Sequence, residues 1–197
     1  MIQRIPLYLT AFCAMSGAAL ACPTASDLTT GVRVSNAAGE SETFTRLADG
    51  NTASRFREPG YPENETVMVN GFFLVTNYDI RNGRPDHDTL IQYVYASADV
   101  PLPVPTANSN WSSTVTYVEN NRGRRESHSY AFGAQTTIKL GNCQYAMIPA
   151  SGRFGPQPDN QEKYHYLPDL GISYVVESGA GADKLTYAYT RIEAVAN

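Results

Sequence analysis

An all-β, mainly antiparallel single domain is what this sequence predicts, and three observations predict it. Apolar and polar residues alternate with a period of two through most of the chain, the spacing of strands with unlike faces. Turn chemistry such as Asn70-Gly71, Asn82-Gly83 and Asn120-Asn121 recurs between these runs. The three-to-four-residue apolar spacing of an amphipathic helix is almost missing. A curved sheet, a half-barrel or a sandwich each satisfies the pattern.

The strands follow in order. Residues 31–34 (GVRV) and 42–47 (ETFTRL) alternate around a turn at Ala38-Gly39. Residues 65–78 (ETVMVNGFFLVTNY) hold two β-rich runs around Asn70-Gly71, which predicts a hairpin or one long strand bulged at Gly71. Residues 81–85 (RNGRP) form a turn, and 89–96 (TLIQYVYA) a strand. Prolines at 101, 103 and 105 make 100–105 a stiff connector or an edge. Strands are then expected over 112–118, 128–140, 143–149, 162–167, 171–177 and 184–195. Residues 178–183 (SGAGAD) join the last two into a hairpin, and 155–161 (GPQPDNQ) is a polar loop.

Residues 1–21 carry one basic residue, Arg4, then an apolar stretch ending in Ala19-Leu20-Ala21, the features of a secretory signal peptide. Cleavage there leaves one β-rich domain over 22–197, with export to the periplasm or the extracellular space. Its two cysteines, Cys22 and Cys143, are then expected to pair as a disulfide. Closing a loop of about 120 residues stabilises a fold by at most about 4–5 kcal/mol. In the alternative, Cys22 is the lipidated first residue of a lipoprotein, the one route by which this chain meets a membrane. Leu20 and Ala19 stand in the reverse of the order that pathway favours.

Without residues 1–21 the chain has 14 basic and 19 acidic residues, a balance unsuited to nucleic acid. The basic cluster Arg122-Gly123-Arg124-Arg125 reads as a solvated hairpin loop. No motif for a metal or another cofactor is present: the histidines at 87, 128 and 165 lack two-histidine metal spacing, and there is no HExxH, CxxC or G-x-S-x-G. Asp86-His87-Asp88 follows Pro85 and reads as a loop whose carboxylates bond to backbone.

Residues 166–174 (YLPDLGISY) place an aromatic residue, a proline, a two-residue turn and Gly-Ile at the start of a strand. This resembles the Y-x-P-G-x-G-L-V element of bacterial exported proteins of the TapB-like group. Gly141, Asn142 and Cys143 stand where that group has its cysteine-bearing segment, although Lys139-Leu140 and Asn142 differ from the usual residues. The resemblance covers about 130–193 and implies a curved, half-barrel sheet; it implies no activity.

Tyrosine is abundant, 13 residues against one tryptophan. Tyr93 with Tyr95, and Tyr187 with Tyr189, are spaced to share faces. Two readings of these four residues stand side by side: cross-strand packing, or a face that binds an apolar small ligand or a protein partner. Both belong to a non-catalytic binding or structural module. The enzymatic alternative is a hydrolase-like site built from His128 and His165 with a carboxylate.

Overall fold

The computed structural model describes residues 21–96, 101–155, 161–179 and 181–196. The expected signal peptide, apart from Ala21, and most of the 155–161 loop lie outside the described residues. Among the described residues, fifteen strands form one antiparallel sheet: β1 (Val32–Ser35), β2 (Ser41–Arg46), β3 (Thr52–Arg57), β4 (Glu63–Val69), β5 (Phe73–Arg81), β6 (Arg84–Pro85), β7 (Ile91–Tyr95), β8 (Asn110–Glu119), β9 (Arg122–Phe132), β10 (Thr136–Leu140), β11 (Cys143–Phe154), β12 (Gln161–Leu167), β13 (Ile172–Ser178), β14 (Leu185–Thr186) and β15 (Arg191–Ala194). Neighbours in the sheet run β14-β13-β12-β11-β9-β8-β7-β5-β4-β3-β2-β1-β15, with β10 on β11 and β6 on β5.

The sheet is open in its hydrogen bonding, yet its two edges are tied by the chain itself. β14 closes one edge and β15 the other, and only residues 187–190 separate them. A gap of four extended residues spans roughly 17 Å at most. The Tyr187 amide donates to Val176 O on β13, and the Thr190 amide donates to Ser35 O on β1. The sheet therefore curls until its edges nearly meet, and this seam replaces the single strand expected over 184–195. The same curvature distinguishes it from a two-sheet sandwich.

Two other expectations need correction. Residues 128–140 form two strands that pair with different stretches of β11: β9 ends at Phe132 opposite Ala150, and β10 begins at Thr136 opposite Met147, on either side of Pro149, which has no amide to donate. The basic cluster at 122–125 is already strand: the turn is Asn120-Asn121 alone, both at positive φ, and Arg122 pairs with Glu119. The 65–78 region is a hairpin, with Asn70 and Gly71 at φ 54° and 65°.

That hairpin tip plugs one end of the curl. Phe72, 1% exposed, lies within 5.0–6.1 Å, ring centroid to centroid, of Phe73, Tyr130, Phe132, Tyr164 and Tyr166. Asn70 Nδ2 donates to Leu102 O and Pro103 O, fixing the proline-rich connector. Gly71 O accepts from Ser173 Oγ at 2.8 Å. A Cβ on Gly71 would stand 1.9 Å from Gly171 O, so two backbones touch where a side chain cannot fit. Gly171 ends the 168–171 turn singled out in the sequence, and its amide donates to Leu167 O. A second packed cluster, including Leu28, Val32, Phe44, Leu140, Leu167, Leu170 and Ile172, lies beside it.

Two glycines at similar φ separate sterics from backbone strain. Gly71→Ala is expected to lower unfolding free energy by about 3 kcal/mol or more, since it adds a backbone clash to a positive φ. Gly83→Ala, at φ 73° with nothing within 4 Å of the added carbon, should cost only about 1–2 kcal/mol. Denaturant unfolding of both variants checks the difference.

Candidate functional site

On β2 to β5, strand alternation sorts two chemistries. One face carries Arg55 paired with Glu65 and Arg57 with Glu63, at 2.6 and 2.5 Å. These ion pairs flank an open polar groove on the side away from the lumen. The opposite face turns Glu42, Phe56, Asn64, Thr66, Met68 and Asn77 inward. Ser54, also on this face, is 2% exposed.

Across the lumen, β12 and β13 contribute Glu162, Tyr164, Ser173, Tyr174 and Val175, and the seam contributes Tyr187 and Tyr189. Between these walls lies a cavity of about 230 Å³. It starts at the plug, where Phe72, Met68 and Ser173 line it, and extends to Ser178, five residues further along β13, or about 17 Å away. A second cavity of about 170 Å³, lined by Tyr93, Tyr117, His128, Tyr130 and Phe154, shares Leu74 and Glu162 with the first.

The aromatic lining is held in edge-to-face pairs, Phe56 with Tyr187 at 5.7 Å and Tyr174 with Tyr189 at 5.2 Å. The polar lining is ordered by its own bonds. Asn64 Nδ2 donates to Asn77 Oδ1 at 3.1 Å, while Asn77 Nδ2 donates to Asn64 Oδ1 and to Thr66 Oγ1 at 2.6 and 2.8 Å. Glu42 accepts from Ser54 Oγ, and Glu162 accepts from Tyr164 and from Ser178.

Desolvation governs both carboxyls. Burial pushes Glu42 up to about 7 against the opposing Ser54 hydrogen bond, and it raises Glu162 against those from Tyr164 and Ser178. His128 is lowered by burial, although Glu126 beside it favours the charged ring. The contact Glu126 Oε2 to His128 Nε2 is 3.3 Å, and His128 Nδ1 to the Tyr130 hydroxyl 3.5 Å. Glu126, His128 and Tyr130 line one cavity together because they are alternate residues of β9.

The four tyrosines singled out in the sequence are divided. Tyr187 and Tyr189 line the larger cavity, and Tyr93 the smaller. Tyr95 is packed: its ring meets Phe73 and Trp111, and its hydroxyl donates to Leu74 O. His128 and His165 do not share a site. His165 faces the Tyr174 hydroxyl at 3.3 Å, and among the described residues neither histidine bonds a serine or cysteine. Asp86 caps a short turn by accepting from the Asp88 amide and pairs with Arg81, so it takes no part in the cavity. The Cys22 and Cys143 sulfurs stand 2.12 Å apart, within disulfide distance, and the Tyr145 hydroxyl donates to Pro23 O beside them. Glu42, Glu162 and the Asn64-Asn77 pair were not singled out by sequence, because polar residues at period two read as a solvent face.

No family model and no curated protein sequence matches this chain. Among solved structures it is similar to the hypothetical lipoprotein YmcC from Escherichia coli (K12), at 14% identity and a TM-score of 0.44, over 85% of this chain and 88% of that one.

Glu42 gives stability a defined pH dependence. Its folded value lies above the ordinary carboxylate value of 4.5. The unfolded chain therefore releases this proton first as pH rises, and stability falls between about pH 4.5 and 7. Below 4.5 the contribution is fully present. Glu42→Gln should remove this component, on the order of 2–3 kcal/mol over that interval. Urea unfolding of wild type and variant at pH 4.5, 6 and 8 checks it.

Proposed function

We propose that this chain is an exported, non-catalytic binding protein that holds a small amphipathic molecule in the lumen of its curved sheet. The observation that carries the reading is the cavity between β2–β5 and β12–β13. Aromatic rings supply apolar area there, while a few ordered polar groups orient an occupant, the usual division of labour in ligand pockets. The tyrosines at 93, 187 and 189 serve this face; Tyr95 serves the packing beneath it.

Export and a Cys22–Cys143 disulfide belong to the same reading, supported by the signal-like start and the adjacent sulfurs. Lipidation of Cys22 would use the sulfur that the disulfide uses, so the two fates exclude each other. Intact mass decides between them: the expected species begins at Cys22, is two hydrogens light, and accepts two alkyl groups only after reduction. Cys143→Ser is expected to lower stability by about 2–5 kcal/mol.

Binding is tested with a neutral amphipathic probe, 4-propylphenol, by saturation-transfer NMR. Transfer to the probe is expected with wild type. It should fall at least tenfold in Leu74→Trp, which fills the junction of the two cavities. A wild-type protein that shows no transfer, and from which native mass spectrometry releases no bound molecule, overturns the reading.

A further inference from the structure

The larger cavity is lined by two carboxyls, Glu42 from β2 and Glu162 from β12, and by no lysine, arginine or histidine among the described residues. The two acids stand on strands far apart in the sheet order, so the curl brings them to one space. Their environment differs from that of a solvated acidic patch. Phe56, Phe72, Tyr164, Tyr174, Tyr187 and Tyr189 surround the same volume. Elsewhere, acids are matched within the protein: Glu63 and Glu65 by Arg57 and Arg55, and Glu177 by Lys163 and Lys184. The lining of the larger cavity offers no such counter-charge; Arg124, which pairs with Glu126, and His128 line the adjoining cavity that shares Glu162.

Hydrogen bonding within the protein engages the two carboxyls differently. The Glu42 carboxyl accepts from Ser54 at one oxygen, Oε1, and among the described residues no second donor reaches it. No fully buried side-chain polar atom lacks a partner among the described residues. The second Glu42 oxygen therefore faces open space, which here is the cavity. Glu162 is bonded at both oxygens, to Tyr164 and Ser178, but by neutral hydroxyls.

We propose that the lumen selects an organic cation, a small alkyl- or arylammonium whose charged head meets Glu42 or Glu162 and whose apolar body lies against the tyrosine and phenylalanine rings. Aromatic faces attract such a head through their quadrupoles, and more strongly when water is excluded. Carboxylates add the full counter-charge. Burial holds both carboxyls toward their neutral forms in the absence of such a charge, as the raised values of Glu42 and Glu162 show. The inference rests on the lumen being a ligand site and specifies the chemistry of that ligand.

The test compares three probes on wild type at pH 8: benzyltrimethylammonium, its uncharged isostere neopentylbenzene, and phenylacetate. Binding is read by saturation-transfer NMR and competition. The cation is expected to bind at least tenfold tighter than the isostere, and phenylacetate more weakly than either. In at least one of the near-isosteric variants Glu42→Gln and Glu162→Gln the preference for the cation over neopentylbenzene should fall at least fivefold. Equal or tighter binding of the isostere to wild type overturns the cation selectivity and leaves a neutral-ligand lumen standing. A cation preference that survives in Glu42→Gln and Glu162→Gln overturns the assignment to these carboxyls. Failure of all three probes, together with 4-propylphenol, overturns the lumen as a ligand site and this inference with it.

Discussion

The contact between Gly71 and Gly171 is the constraint on which the rest of this structure depends. Two turns from distant parts of the chain meet there with no side chain between them, and an added carbon on Gly71 would stand 1.9 Å from the opposite carbonyl. That approach lets Phe72 reach the centre of the curled sheet, where aromatic residues of β9 and β12 surround it. The plug divides the interior in two. On its packed side, Leu28, Phe44, Leu167, Leu170 and Ile172 form a solvent-free core. On the other side the curvature persists without enough side-chain volume to fill it.

The antiparallel all-β class, most of the strands and several tight turns were legible because they rest on local rules. Asn-Gly and Asn-Asn pairs adopt the positive φ that tight hairpins require, and they do so at positions 70–71, 82–83 and 120–121. β3 escaped because its inward residues, Thr52, Ser54 and Phe56, include only one large apolar side chain. The rule that separates faces by hydrophobicity assumes a dry interior. A lumen lined by Glu42, Asn64, Thr66 and Asn77, with Ser54 buried behind Glu42, breaks that assumption. The missed strand and the missed site residues therefore have one cause.

The tyrosines show the complementary difficulty. Tyr187 and Tyr189 fall on one side, both lining the larger cavity, while Ala188 between them is exposed. Period two could not distinguish Tyr93, beside a cavity, from Tyr95, two residues on and facing the same way, because that difference arises from Trp111 and Phe73 on other strands. Likewise, the separation of His128 from His165 follows from β9 and β12 lying on either side of β11. Such distinctions belong to the curled arrangement of strands, which local pattern does not contain.

The seam links the cavity to the shape of the sheet. Tyr187 and Tyr189 belong to the four residues that join the two sheet edges, and their rings reach Phe56 on β3 and Tyr174 on β13. The backbone bonds of this crossing are few: Tyr187 to Val176, Thr190 to Ser35 and Gly141 to Thr190. Its position is therefore set largely by where those two rings pack. An occupant that touches both rings joins the opposing walls through side chains where the hydrogen-bond ladder stops. If the lumen takes an occupant as proposed, binding that favours the curled state over any flatter one would couple occupancy to the approach of the sheet edges.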